Sequence, residues 1–462
     1  MMDKSNRHDK FIQFREEYPF FVYESYDYTY SDRGLDIRFH FNLSDRFHFY
    51  PTINIPPKTF FIPEEQIREL LPNLVFHLGM IELISYWKAA CSPQVIIRPH
   101  RLSPEQLSWW KKIWFNGLGE FFYLNSITTD IEQFMKMEVD SSDELLSVAC
   151  DLAPQIIIPV GGGKDSIVTM EVLCKSHKVT PLILNPRGAS VHSVFMAGFA
   201  YGEMIGISRK IDPTLLELND KGFLNGHTPF SALLAFLTIL AAIISGKRSI
   251  ALSNESSANE STIPGLPINH QYSKTFEFEQ DFRSYVKEFI CPDIDYFSFL
   301  RPLNEIQIAS LFVLYPNYFT VFRSCNKGSK SDSWCGSCPK CLFTFIILAP
   351  FLKRNQLIEI FQKDLLDDIA LKPIFDQLIG KTPEKPFECV GTISEVNATL
   401  QVVVKQYNNN PLPALLEYYT NSPVHQFTNS PIHQFTSFLQ TWDPQNFLPP
   451  ELETLLKGAL DG

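Results

Sequence analysis

A β-branched run that breaks into three glycines and restarts as a helix, IIIPVGGGKDSIVTMEVL from Ile156 to Leu173, constrains this chain more than any other stretch. A Walker loop needs a glycine five positions before Gly163, where Ile158 stands, and Ser or Thr directly after Lys164, where Asp165 stands. A dinucleotide fingerprint that begins at Gly161 needs a glycine where Ser166 stands. What is left is a strand, G-G-G-K-D-S and a helix. In such a loop glycines turn backbone N–H groups toward an anion with no Cβ in the way, and the helix adds its positive N-terminal end. Pyrophosphate suits that cradle. The bland alternative is an ordinary strand-to-helix turn with Asp165 as N-cap.

The arrangement resembles the S-G-G-x-D-S loop of the ATP pyrophosphatase (PP-loop) superfamily, which splits ATP into AMP and pyrophosphate to adenylate a substrate. Gly162, Gly163, Asp165 and Ser166 match that pattern, and Gly161 replaces its first serine. The resemblance implies that Gly161, Gly162, Gly163, Lys164, Asp165 and Ser166 bind ATP. Lys164 would offset phosphate charge, and Asp165 would cap the helix or bind Mg²⁺ through water.

Around the loop the pattern alternates between strand and helix: QIIIPV, the loop helix, TPLILN, a helix over HSVFMAGFAYGEMIG, SRKI, a long apolar helix and RSIALSN. This predicts an α/β fold with a doubly wound parallel sheet, whose ligands gather at the carboxyl ends of strands. Asn185, Arg187, Asn254 and Glu255 follow two such ends and are candidates to line the nucleotide site. Upstream, Tyr26, Tyr28 and Tyr30, a turn at SDRG, then Ile37, Phe39 and Phe41 alternate with polar residues, which predicts an antiparallel meander. Helices follow, the second opened in capping fashion by Ser103 and Glu105. The 462 residues therefore divide into an N-terminal α+β domain over 1–148 with substrate contacts, an ATP-binding domain over 149–350, and a helical extension over 351–462. That extension contains a linker, GKTPEKPFECVGT, and a tandem octapeptide, TNSPVHQF then TNSPIHQF, read as a surface loop whose His425 and His433 are given no function.

A formal charge of −11 disfavours a nucleic-acid-gripping role. The apolar segment Phe230 to Gly246 is at the short limit for spanning a bilayer and reads as a buried helix. The opening residues, MMDKSNRHDKFIQFREEY, lack the apolar core of a secretory leader, which points to a cytoplasmic protein with no membrane partner. The sequence is silent on oligomeric state.

Four of the nine cysteines, Cys325, Cys335, Cys338 and Cys341, crowd into SCNKGSKSDSWCGSCPKC. Tight turns that return four thiolates suit tetrahedral Zn²⁺, which would be structural because no coordination position stays open. An iron–sulfur cluster is the chief rival, and disulfides come third. The other five cysteines read as small buried residues.

A similar loop and cysteine pattern occurs in 7-cyano-7-deazaguanine synthase, but that likeness omits the aromatic N-terminal segment and the C-terminal extension. Taken together, PVGGGKDS, SNESSAN, NHQYSK, WCGSCPKC and KPFECVGT are similar to the epimerase family that acts on UDP-N-acetylmuramoyl-L-alanyl-L-glutamate in peptidoglycan precursor synthesis. The likeness runs from SYWKA through ECVGT. It implies that the substrate is a UDP-muramoyl dipeptide whose terminal L-glutamate is activated as an acyl-adenylate, which acidifies Cα, and is epimerised by proton removal and return. His227, His270, Tyr272 and Lys274 are the proton-transfer candidates beside the loop's Asp165, Cys389 is a further one, and Arg301 or Arg187 would hold substrate carboxylates or diphosphate. An adenylating ligase or synthase of the deazaguanine type is the alternative enzyme, and a nucleotide-sensing zinc module the non-catalytic one.

Overall fold

The computed structural model describes residues 5–328, 331–408, 410–422 and 431–461. They form a mixed α/β architecture in two compact units, each assembled from separate stretches of chain. The first unit comprises residues 1–157, 205–250 and 267–296, and the second 158–204, 251–266 and 297–462.

The first unit is built on the predicted meander. Strands Phe20–Ser31 and Gly34–Leu43 pair antiparallel from Phe21 opposite Leu43 to Ser31 opposite Gly34, with an irregularity between Tyr23 and Ser25. Along the second strand Leu35, Ile37, Phe39 and Phe41 point inward and are fully buried, as a period of two requires. Strands Phe47–Phe49 and Thr52–Ile55 add antiparallel to the same neighbour. On the other side Phe20–Ser31 pairs in parallel with Gln94–Ile97, which pairs in parallel with Lys136–Val139. Strand Ile205–Lys210, expected as part of the parallel doubly wound sheet, runs antiparallel to Thr52–Ile55 of the meander, so the sheet is mixed. Strand periodicity reports which face is buried but not which neighbour is chosen. Ala153 and Ile157 in turn pair in parallel with Lys247 and Ile250.

Helix Glu64–Trp87 lies over these strands and against helix Phe230–Ile244, whose side chains from Ala232 to Ile244 are nearly all buried, as read from the sequence. Among the described residues Glu64–Trp87 is the one helix long and apolar enough to cross a bilayer, and 89% of its apolar window is buried inside the fold. Its Glu82, fully buried, takes a bidentate pair from Arg209 at 2.7 and 2.8 Å, which ties the helix to Ile205–Lys210. Ser103 caps helix Pro104–Gly117 as expected, but its reciprocal partner in the capping box is Gln106 and not Glu105.

In the second unit strand Val179–Leu184 accompanies the chain into the glycine loop, with Val160 N–H donating to Leu182 O at 2.8 Å. The helix expected over residues 192–206 is Gly188–Met196 and stops early. Gly198 adopts a φ of +89° and Phe199 N–H returns to Val194 O, a Schellman-type ending. Beyond residue 351 the described chain is mainly helical, from Arg354–Phe361 to Pro450–Asp461. The linker around KPFECVGT is docked: Lys385 N–H donates to Thr262 O at 2.9 Å, and its buried amine pairs with Glu260. The octapeptide that contains His425 lies largely outside the described residues, while His433 sits in helix Pro431–Gln440.

A polar network crosses the core of the first unit. His77 Nδ1–H donates to Asn73 O at 2.8 Å, leaving Nε2 to accept from Tyr285 Oη at 2.9 Å, while that oxygen accepts from Trp110 Nε1 at 2.9 Å and Gln106 at 3.2 Å. Burial pushes His77 down to about 4, so the ring is neutral at physiological pH. Replacing Tyr285 by Phe leaves buried His77 and Trp110 and half-buried Gln106 without their partner and is expected to cost about 1–3 kcal/mol in urea unfolding. An unchanged midpoint would contradict the network.

Candidate active site

The loop owes its shape to Gly162, whose φ is +85° and whose missing Cβ would sit 2.6 Å from Ser190 N and 2.7 Å from Ala189 C. The start of helix Gly188–Met196 thus packs directly on the loop. On the loop's other side Arg323 N–H donates to Gly162 O at 2.8 Å, and Ser324 Cβ lies 3.3 Å from where a Cβ on Gly163 would stand. Gly161, by contrast, is exposed and faces open space. Gly163, not Asp165, occupies the N-cap position of helix Lys164–Leu173. Ser166 Oγ donates back to Gly163 O at 3.0 Å.

Lys164 does not face solvent. Its amine is buried between the carboxylates of Asp165 and Glu305. Burial opposes its charge, but those two carboxylates hold it above the usual lysine range. Glu305 opens helix Glu305–Phe312, and its backbone N–H donates to Glu395 Oε1 at 2.7 Å. The same oxygen accepts from Ser257 Oγ at 2.8 Å, and Glu395 Oε2 closes the capping box of helix Ile393–Gln406 through Thr392 N–H at 2.6 Å. Asp165, about one-third exposed, is the carboxylate of this group that reaches solvent.

Of the other predicted nucleotide contacts, Asn185 and Arg187 are exposed after strand Val179–Leu184. Asn254 donates to Ser298 Oγ at 3.1 Å, and Glu255 is buried. Arg301 is placed differently from the expectation of a substrate clamp: it is fully buried, and its guanidinium donates to Glu255 O at 2.7 Å and to Ser298 Oγ at 3.4 Å. Cys389 is half-buried in the docked segment.

In the first unit the structure brings His227 and His270 together, with ring centroids 4.4 Å apart, and adds Glu120, which sequence reasoning missed. His270 Nδ1 lies 2.5 Å from Glu120 Oε2, and His227 Nδ1 lies 3.6 Å from the same oxygen. Ligands about 2.1 Å from one zinc ion stand about 3.4 Å apart, whereas the 2.5 Å contact of His270 with Glu120 is at hydrogen-bond distance. Close approach depends on Gly117, where a Cβ would meet the Pro229 ring at 2.7 Å. Lys88, also missed, donates to Gly226 O. Burial lowers Lys88 to about 8, and burial, His270 and Lys88 together lower His227 to about 3. Tyr272 and Lys274 share a short turn. Burial pushes Tyr272 up to about 12, and Lys274 is half-buried.

The four cysteines converge as read. Their sulfurs lie within 4.8 Å of one another, with contacts of 3.5 Å (Cys338 to Cys341), 3.6 Å (Cys325 to Cys338) and 3.7 Å (Cys335 to Cys341). Four sulfurs about 2.3 Å from one tetrahedral ion stand about 3.8 Å apart, so the group can hold a single metal ion, whereas an iron–sulfur cluster spreads its thiolates wider. The Cys338 thiol is drawn down to about 5, chiefly by its sulfur contact with Cys341. Cys325 follows Arg323 and Ser324, so the tetrad anchors the two residues that flank the glycine loop.

Fold and site together define an α/β protein with a glycine cradle braced by a buried ion pair and a cysteine tetrad. A family model described as the MurL N-terminal domain matches residues 13–299, and one described as the MurL C-terminal domain matches residues 321–429. The chain belongs to the MurL family. It is 35% identical over 337 residues to the UDP-N-acetyl-alpha-D-muramoyl-L-alanyl-L-glutamate epimerase of Xanthomonas oryzae pv. oryzae, covering 71% of this chain and 74% of that protein. It is 34% identical over 352 residues to the protein of the same name from Salinispora tropica, covering 74% and 76%. For the one from Micromonospora sp. the identity is 33% over 352 residues, covering 74% and 77%. No solved structure matches the chain.

The loop geometry separates its glycines. Gly161→Ser, which supplies the missing hydroxyl in open space, should leave stability within about 0.5 kcal/mol. Gly162→Ala should cost about 1–3 kcal/mol, through its left-handed φ and its collision with Ser190 N. Urea denaturation of both variants checks this, and equal effects would contradict the assigned loop conformation.

Proposed function

We propose that this protein epimerises the terminal L-glutamate of UDP-N-acetylmuramoyl-L-alanyl-L-glutamate to D-glutamate, with ATP cleaved to AMP and pyrophosphate, in peptidoglycan precursor synthesis. The observation that carries this reading is the match to three proteins named for that epimerase, each over about three-quarters of its length. The glycine loop is read as a PP-loop, because Gly162, Gly163, Asp165 and Ser166 keep the strand-to-helix pattern and a helix N-terminus faces the cradle.

The chemistry explains why ATP is needed. A proton beside an ionised carboxylate is a poor acid, and turning the glutamyl α-carboxylate into an acyl-adenylate removes the charge and makes Cα acidic. In this reading the carboxylate oxygen attacks the α-phosphorus of ATP and pyrophosphate departs, its charge met by loop N–H groups from Gly161 to Ser166. Asp165 is the carboxylate available to a magnesium ion accompanying the nucleotide. Lys164, held by Asp165 and Glu305, acts by fixing the loop's charge balance from below. Proton transfer at Cα falls to the first unit's candidates, His227, His270, Tyr272 and Lys274. Water then releases AMP and the epimerised dipeptide. The cysteine tetrad takes zinc in a structural role, keeping Arg323 and Ser324 against the loop.

With ATP, Mg²⁺ and the UDP-muramoyl dipeptide in D₂O, deuterium should enter the glutamyl Cα as AMP forms. AMP without Cα deuterium would sink the epimerase reading, and pyrophosphate release only with an added amine would favour a ligase. Elemental analysis should give about one zinc per chain, and Cys338→Ser should lose both metal and stability. Iron in place of zinc would revise the metal.

A further inference from the structure

Resting on the epimerase reading, we infer that Glu120, His227 and His270, steadied by Lys88, form a single proton-transfer pole, so that both histidines serve the same face of the glutamyl Cα. Inverting a carbon by deprotonation and reprotonation needs one group on each face. Each must come within about 3 Å of the carbon along its C–H direction, which puts the two groups roughly 6 Å apart with the carbon between them. The two histidines lack that spacing. Their ring centroids are 4.4 Å apart at an inclination of 43°, and both Nδ1 atoms face one oxygen of Glu120, that of His270 at hydrogen-bond distance, 2.5 Å, and that of His227 at 3.6 Å. A carbon centre between two rings needs about 3.5–4 Å to each, or roughly 7 Å in all. Any bound Cα therefore meets both rings from one side.

The wiring of the cluster assigns roles. In the tautomer that donates Nδ1–H to Glu120, the lone pair is on Nε2 and His270 is the base, with the carboxyl group placed to support the imidazolium that forms. His227 stays neutral in its buried position and packs against His270, which leaves the captured proton on His270 and holds that ring in place. Lys88 holds the His227 loop through Gly226 O. Glu120 and Lys88 are thus positioning residues.

In the step itself the Nε2 lone pair takes the Cα proton, and the C–H electron pair moves into the adenylate carbonyl to give an enolate. That pair returns to Cα and binds a proton delivered to the other face by a donor outside this cluster. The pole has gained one proton and the second donor has lost one, and exchange with solvent resets both.

The test follows exchange in each epimer separately. His227→Gln, His270→Gln, the double variant, Glu120→Gln and Glu120→Asp are incubated with ATP, Mg²⁺ and either the L- or the D-glutamyl dipeptide in D₂O. Pyrophosphate release and Cα deuterium are then measured. Pyrophosphate release should persist in all of them, which also reports that they fold. Cα exchange should fall about 100-fold or more in one and the same epimer for both single histidine variants and continue in the other epimer. The double variant should be no worse than the poorer single one, and Glu120→Asp should recover part of what Glu120→Gln loses. Loss in opposite epimers for the two single variants, undiminished exchange in both, or loss of pyrophosphate release would overturn the inference. A wild-type enzyme that releases AMP with neither epimer would instead overturn the epimerase reading, and this inference with it.

Discussion

A lysine amine buried between two carboxylates holds the second unit of this protein together. Taking Lys164 out of water is costly unless its charge is met, and Asp165 and Glu305 meet it from within the loop helix and from helix Glu305–Phe312. The pairing extends through backbone: Glu305 N–H is received by Glu395, which also receives Ser257 and caps its own helix. Segments that look unrelated along the chain, PVGGGKDS, SNESSAN, PLNEIQ and ECVGTISE, are in this way one hydrogen-bonded assembly under the glycine loop. Removing a single member leaves buried polar groups unmet, so the assembly stands or falls together.

Much of this was legible in the residues because the signals were local. Three glycines between a β-branched run and a helix, four cysteines in one stretch, and alternating aromatics around SDRG each specify geometry through their own spacing. What escaped depends on partners far away in sequence. Glu120, alone in GLGEFF, gains meaning only when His270 meets it 150 positions later, and Lys88 only when the chain returns at Gly226. Glu305 sits within an apolar helix and gives no hint of Lys164. Glu395, in the T-x-x-E pattern of a capping box, was readable, though its second role toward Ser257 and Glu305 was not. Asp165 is not the helix cap because it lies inside the helix, two residues past Gly163, and Arg301 is not a surface clamp because it is fully buried against Glu255 and Ser298.

The residues assigned to phosphate chemistry lie in the second unit, and His227, His270, Tyr272 and Lys274, assigned to proton chemistry, in the first. This division matches the two demands of the proposed reaction. The phosphate side calls for fixed N–H groups on a braced loop, which the cysteine tetrad and the ion pair supply. The proton side calls for neutral imidazoles near a carboxylate, and burial keeps His227 neutral while Glu120 orients His270.

The central claim is that the glutamyl α-carboxylate is adenylated before its Cα proton moves. It is tested most directly with dipeptide substrate carrying ¹⁸O in that carboxylate. Adenylation followed by hydrolysis at the acyl carbon transfers one labelled oxygen to the phosphate of AMP in each turnover, readable by mass spectrometry. Epimerisation that proceeds with unlabelled AMP, or with ADP and inorganic phosphate in its place, would contradict the account.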